Sequence, residues 1–124
     1  NYKIKGSQIK GQGLGSKSFV PTINLKVSDY LLPNEGVYVT KTIIDSKEYQ
    51  SITFLGHRVT TDNTYAVETH LIDETIKNLT NDIEILFIDK LRNNKKFDNF
   101  DTLKEQILLD INRCKTFFTP IKSL

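Results

Sequence analysis

Thr22 and Asn24 stand two residues apart in the run Pro21-Thr22-Ile23-Asn24, shortly after a loop in which glycine alternates at Gly11, Gly13 and Gly15. On a strand that spacing puts a hydroxyl and an amide carbonyl on one face, roughly 6.5 to 7 Å apart at Cα, where both can serve a hard, oxygen-seeking cation such as magnesium. The glycines let the main chain adopt positive φ and approach a ligand closely, so successive N–H groups can point at an anion. Phosphate held by backbone and a metal held by oxygen is the chemistry this stretch suggests. On its own the loop is equally compatible with an ordinary glycine-rich hairpin connection.

The same stretch nearly fits a P-loop, failing where Ser16 replaces the second glycine ahead of Lys17-Ser18. That reading is rejected because a P-loop follows a strand and opens a helix, whereas here Pro21 and a β-branched, alternating run come next. Pro21 suits the strand entrance, where a missing ladder donor costs least. Beyond it Thr22, Asn24 and Lys26 alternate with Ile23, Leu25 and Val27, so one face is polar and the other can enter a core.

The elements that must hold this pair are mostly strands. Alternating or β-branched runs cover residues 2–9, 22–27, 36–44, 48–55, 65–72 and 83–91, separated by turn chemistry at Leu32-Pro33-Asn34-Glu35-Gly36, Asp45-Ser46-Lys47 and Thr61-Asp62-Asn63. Their even spacing predicts an antiparallel sheet closed into a barrel. The polar segment 73–82 has room for a short helical turn. After Asn99 the period lengthens: Leu103, Ile107, Leu108, Ile111 and Cys114 form a helical stripe, with Lys104, Glu105, Asp110 and Lys115 mostly off it. Asp101 or Thr102 is expected to cap the helix, Thr102 with Glu105 as a capping box. The stripe should close one side of the barrel.

At 124 residues the chain suits a single domain, 1–124, and a net charge of +2 demands no polyanionic partner. Its one cysteine, Cys114, sits in the helical pattern and reads as a buried structural thiol in a reducing compartment, so a cytoplasmic protein is expected. No run reaches the length of a membrane span, and no charged-then-apolar leader is present. The start at Asn1 and the lack of methionine suggest a piece of a longer chain.

In order and spacing the motifs resemble those of riboflavin kinases. The glycine loop, Pro21-Thr22-Ile23-Asn24, Leu32-Pro33 before Gly36-Val37-Tyr38, and Gly56 four residues before Thr60 are joined by three later segments. Val67-Glu68-Thr69-His70-Leu71-Ile72-Asp73 is similar to that family's V-E-x-H-L-L-D strand. Leu91-Arg92 with Lys96-Phe97 is similar to L-R-x-x-x-K-F, and residues 103–110 to L-x-x-Q-I-x-x-D. The likeness runs from Tyr2 to about Lys115. It implies an all-β fold with a C-terminal α-helix, a six-stranded antiparallel Greek-key barrel of riboflavin kinase type. The implied reaction carries the ATP γ-phosphoryl group to the ribityl 5′-hydroxyl of riboflavin, giving FMN. It also implies an N-terminal adenylyltransferase domain, as in bacterial bifunctional riboflavin kinase/FAD synthetases.

Under that resemblance each candidate residue takes a role. A primary alcohol is a poor nucleophile, so a carboxylate within hydrogen-bond reach is wanted, and Glu68 is the candidate base. In the resemblance Thr22 and Asn24 hold Mg2+ or another divalent cation, with Thr22, Gly13, Gly15 and Lys17 on the ATP phosphates. Arg92, Leu103 and Ile107 are possible flavin contacts. The chain departs from the family's usual pattern at Gly15-Ser16-Lys17-Ser18-Phe19-Val20, which lacks an arginine and a glycine, at Ile23 for alanine, at Val59 for a proline, and at Leu79-Thr80-Asn81.

Other chemistry is less well supplied. Glu68 and His70 share a face but are too few for a transition-metal site, and His57 adds nothing at a useful spacing, so both histidines read as structural or peripheral. Lys90, Arg92, Lys95 and Lys96 cluster beside Phe97 and would also suit a solvated loop. A small barrel with basic loops also suits an OB-like nucleic-acid module, against which stand the weak net charge and the Thr22, Asn24 and Glu68 set. A degenerate, non-catalytic flavin-binding domain is a third reading, motivated by the altered glycine loop. Neither nucleic acid nor membrane is expected as a partner.

Overall fold

The computed structural model describes residues 2–9, 20–27, 31–60, 62–76 and 82–119. Within them six strands close a barrel: β1 (Tyr2–Gln8), β2 (Ile23–Lys26), β3 (Gly36–Ile44), β4 (Lys47–His57), β5 (Tyr65–Leu71) and β6 (Ile83–Asn93). One helix, α1 (Phe100–Phe118), follows them. The order around the barrel is β1-β2-β5-β4-β3-β6, every neighbouring pair antiparallel. The non-sequential contacts β2–β5, β3–β6 and the closing β1–β6 follow from the β2-to-β3 and β5-to-β6 crossovers of a Greek-key path.

Alternation sets what goes inside. Ile4, Ile23, Leu25, Tyr38, Leu55, Val67, Leu71, Ile83, Ile85 and Phe87 pack together as the barrel core. The expected split of β2 holds: Ile23 and Leu25 are buried, Asn24 is partly exposed and Lys26 exposed. The core also contains a chain of hydroxyls, Thr42 to Ser51 (2.8 Å), Ser51 to Thr40 (2.7 Å), Thr40 to Thr53 (2.8 Å) and Thr53 to Thr69 (2.8 Å). All five side chains are fully buried. Each is satisfied by another, which removes the desolvation penalty an unpaired hydroxyl would carry.

The β3–β4 hairpin turns at Asp45 and Ser46, with φ of 51° and 66°, the left-handed pair that a two-residue hairpin loop requires. Strand β6 carries two irregularities against β3, between Val37/Tyr38 and Val39/Thr40. Each adds a residue to β6, Leu91 and Ile88, and both pack outside the barrel under α1. A second apolar cluster forms there, with Val37, Val39, Ile52 and Ile72 from the barrel and Ile111 and Cys114 from the helix. Cys114 is fully buried, its Sγ donating to the Ser51 carbonyl at 3.2 Å, and burial pushes its thiol up to about 12. A buried structural thiol was the expectation.

Three details of the helix differ from expectation. It begins at Phe100, so Asn99 is the cap: its side chain accepts from the Thr102 N–H at 2.9 Å, and the Thr102 hydroxyl donates back to the Asn99 carbonyl at 3.0 Å. Neither Asp101 nor Thr102 caps it; Asp101 instead sits in the first turn, where its charge complements the helix dipole. Leu108 is 46% exposed, because helical geometry turns it away from Leu103, Ile107 and Ile111. Asp110 falls in the middle of the buried stripe instead, 2% exposed. Expectations for the glycine loop and for residues 77–81 lie outside the described residues.

Candidate active site

Strand pairing places five residues in one row across five strands. Asn24 on β2 is opposite Glu68 on β5, Glu68 is opposite Phe54 on β4, Phe54 opposite Val37 on β3, and Val37 opposite Arg92 on β6. Directly paired positions share a face, here the outer one, because Val67 and Thr69 beside Glu68 point into the barrel. Val37, Phe54, Glu68 and Arg92 line a cavity of about 170 Å³ between the barrel and α1, together with Thr22, Arg58 and His70. Leu103, Ile107 and Ile111 form its helix wall.

Sequence reasoning did not single out Arg58, yet it organises the polar end of this cavity. One guanidinium nitrogen donates both to Asn24 Oδ1 at 3.2 Å and to Glu68 Oε2 at 3.0 Å. The other terminal nitrogen reaches Thr64 Oγ1 at 3.1 Å and Asp62 Oδ2 at 3.4 Å. Arg58 and Glu68 are largely enclosed, with side chains 16% and 20% exposed. Asp62 in turn accepts from the Thr64 N–H at 3.0 Å and its hydroxyl at 2.7 Å. These bonds, the backbone one foremost, with help from Arg58, hold its carboxyl below the usual range.

At the other end Arg92 and Asp110 form a nearly buried pair. Arg92 Nε lies 2.9 and 3.1 Å from the two carboxylate oxygens, and a terminal nitrogen lies 2.8 Å from one of them. Gln106 donates to the same carboxylate at 2.9 Å, which satisfies it further. The remaining terminal nitrogen of Arg92 donates to the Asn93 carbonyl at 3.1 Å. Arg92 and Lys95 both stand over the Phe97 ring, 5.6 and 5.3 Å from its centroid. Of the expected basic cluster, these two and the aromatic therefore come together at the cavity.

Loop contacts close the remaining side. Thr60 Oγ1 accepts from the Phe97 N–H at 3.0 Å, tying the β4–β5 connection to the segment before α1. The Val59 N–H donates to the His57 carbonyl at 2.8 Å, a bond that the family's usual proline lacks the hydrogen to make. Glu35 accepts from the His57 N–H at 2.8 Å, from His57 Nδ1 at 3.2 Å and from Asn94 at 2.9 Å, and Asn94 also donates to the His57 carbonyl at 2.8 Å. The backbone bond first, then Asn94 and the imidazole, keep the Glu35 carboxyl below its ordinary value. His70, on the Glu68 face, donates from Nδ1 to the Pro21 carbonyl at 2.7 Å and so anchors the entrance to the Thr22 strand.

The fold thus brings Thr22, Glu68, Arg92, Leu103 and Ile107 to one cavity, with Asn24 bonded to the same guanidinium as Glu68. Gly13, Gly15 and Lys17 lie outside the described residues. Arg58 and Asp110 were legible only as members of motifs. Arg58 sits between Gly56 and Thr60, and Asp110 is the last residue of the helix pattern.

A riboflavin kinase (flavokinase) family profile matches residues 1–118. The chain is 34% identical over 119 residues to a bifunctional riboflavin kinase/FMN adenylyltransferase of Haemophilus influenzae, covering 94% of this chain and 39% of that protein. A protein of the same description from Listeria monocytogenes is 27% identical, with 98% and 40% covered. A crystal structure described as a macrolide-efflux protein of Streptococcus pneumoniae superposes with a TM-score of 0.75 at 26% identity, over 91% of this chain and 38% of that one. The chain belongs to the riboflavin kinase family. It is a riboflavin kinase module, spanning about two fifths of the length of those curated relatives. No helix among the described residues is long and apolar enough to cross a membrane.

Proposed function

We propose that this module transfers the γ-phosphoryl group of ATP to the ribityl 5′-hydroxyl of riboflavin, with Glu68 as the base. The observation that carries the assignment of roles is the pairing of Asn24 with Glu68 across β2 and β5, which sets an amide oxygen beside a carboxylate that lines an apolar cavity. Val37, Phe54, Phe97, Leu103 and Ile107 offer that cavity walls suited to a flat, largely apolar ring. Arg92 acts on this wall through Asp110 and Phe97, as well as by any direct contact with the flavin.

Among the described residues no group of three His, Cys, Asp or Glu side chains is placed to cage a metal. Thr22 and Asn24 instead supply neutral oxygens. That donor set fits magnesium, which keeps part of its shell and arrives with nucleotide phosphates. Bound there, the ion would neutralise charge on the transferring phosphoryl group. Thr22 and Asn24 orient the nucleotide, the helix wall orients the flavin, and Glu68 accepts the hydroxyl proton at a carboxylate oxygen. Gly13, Gly15 and Lys17 complete the phosphate side in this reading. Positioning and charge neutralisation carry more of the barrier than the base does, since phosphoryl transfer has a loose transition state.

The relatives' description extends the proposal to a linked adenylyltransferase domain and to a role in FAD formation by a longer protein. A cytoplasmic location is part of the same proposal, supported by the lone buried thiol Cys114, which suits a reducing compartment. The test is direct. The 124-residue chain, given ATP, magnesium and riboflavin, should yield FMN and no FAD by chromatography. Absence of FMN from a folded chain rejects the kinase reading in favour of a non-catalytic flavin-binding domain. FAD formation rejects the separation of the two activities.

A further inference from the structure

We infer that Arg58 is a resident counter-ion: its guanidinium occupies the Asn24 amide oxygen and the Glu68 carboxylate until a metal-bound nucleotide displaces it, so Arg58 positions both groups and keeps free cations out. This deepens the role assignment above and rests on it. One nitrogen bridges Asn24 Oδ1 and Glu68 Oε2 at 3.2 and 3.0 Å, so the proposed metal oxygen and the proposed base share a single cation. A second cation cannot use the Asn24 oxygen while that bond stands, because two positive charges would meet on one carbonyl.

The arrangement offers the guanidinium a place to go. Its other nitrogen is already held by Thr64 and Asp62 in the β4–β5 connection, and the Asp62 carboxylate is kept ionised by the Thr64 bonds. Turning the guanidinium toward Asp62 would release Asn24 and Glu68 while keeping a counter-charge. Loading then costs one shared hydrogen-bonding nitrogen rather than an unpaired buried charge. Arg58 is thereby a positioning residue, acting on the chemistry through Glu68 and Asn24. A purely structural ion pair would tie the loop to the sheet, and any cation drawn to the bared carboxylates after its loss would bind without regard to Asn24.

The two roles separate in the absence of nucleotide. Mn2+ serves as the probe, its binding to the substrate-free chain followed by electron paramagnetic resonance. The wild type should bind it weakly. Arg58→Met, which fills similar space without charge, should bind Mn2+ at least about tenfold more tightly, since it removes the positive charge that competes for the Asn24 oxygen and leaves the Glu68 carboxylate beside that oxygen unneutralised. Adding Asn24→Ala or Glu68→Gln to that variant should abolish the gain. Thermal melts establish that each variant is folded, and Arg58→Gln repeats the measurement should Arg58→Met fail to fold. Equal Mn2+ affinity in wild type and a folded uncharged variant overturns the inference, as does a gain that survives loss of Asn24. Because FMN formation by the wild type is measured independently, failure here leaves the kinase assignment standing on its own result.

Discussion

Asp110, central in the buried stripe of α1, grips Arg92 of β6 through two guanidinium nitrogens at 2.8 to 3.1 Å. The pair fastens the helix to the barrel at the edge of the cavity, and removing one member leaves the other enclosed without its counter-charge. Asp110→Asn should therefore cost on the order of 3 kcal/mol in urea unfolding, the scale for breaking such a pair from one side. Riboflavin affinity, read by flavin fluorescence, should weaken in the folded fraction. An unchanged unfolding midpoint would contradict this account of the helix wall.

Glu68→Gln retains shape and an acceptor for Arg58 while removing the carboxylate. Turnover should fall roughly 10²- to 10⁴-fold, the range for general-base catalysis, with little change in riboflavin affinity. Near-wild-type turnover in a folded variant rules Glu68 out as the base.

Asn24→Ala removes one neutral oxygen from the proposed metal site. FMN formation should then require more magnesium to reach half its maximum, and the maximum itself should fall. A magnesium titration superimposable on that of the wild type excludes the amide as a ligand.

What the sequence made legible follows from how local its signals are. Alternation fixed the faces of β2 and β5, since Ile23, Leu25, Val67 and Leu71 could only point inward if the sheet was to have a core. Hence Asn24 and Glu68 could be placed on outward faces in advance. The partners of those faces were not legible, because Arg58 reaches them from a connection whose path depends on tertiary contacts with Thr64 and Asp62. Asp110 was misplaced because a charged residue was assumed to leave an apolar stripe, whereas Arg92, remote in sequence, supplies the compensation. The helix starts a little earlier than a cap at Asp101 or Thr102 predicts, because local propensity does not rank those residues against Asn99, the cap observed.

Gly56 has φ of +141°, and a Cβ there would run into the Glu35 carboxylate. Gly56→Ala should cost about 1 to 3 kcal/mol, from the backbone conformation together with displacement of the Glu35 carboxylate. In a Glu35→Ala background the cost should shrink and not vanish, which urea unfolding of the four variants would show. Glu35 also sets an acid limit. Its carboxyl is depressed in the folded state, so its contribution is present above the ordinary value of 4.5 and is lost as pH falls through the folded value.

Cys114 should resist Ellman's reagent in the native state and react at the rate of unfolding, being enclosed and raised to about 12. The folded thiol keeps its proton from its ordinary value of 9.0 up to about 12, whereas the unfolded one loses it. Stability from this source is intact below pH 9 and declines as pH rises toward 12. Melting temperature should fall less steeply over that range in Cys114→Ala than in the wild type. Rapid labelling under native conditions would contradict the burial.

The hydroxyl chain through the barrel acts as an alignment gauge for the surface it never touches. Thr53 meets Thr69 one position from where Phe54 meets Glu68, and Thr40 meets Ser51 next to the pairing of Val39 with Ile52. Shifting β4 by a single residue would turn Ser51 and Thr53 outward, strand the hydroxyls of Thr40, Thr42 and Thr69 in an apolar interior, and carry Phe54 out of the row that begins at Asn24. Hydrophobic side chains alone would tolerate some misregistration, whereas directional bonds do not. The groove beneath the helix is thus kept in register by polar contacts on the opposite side of the sheet.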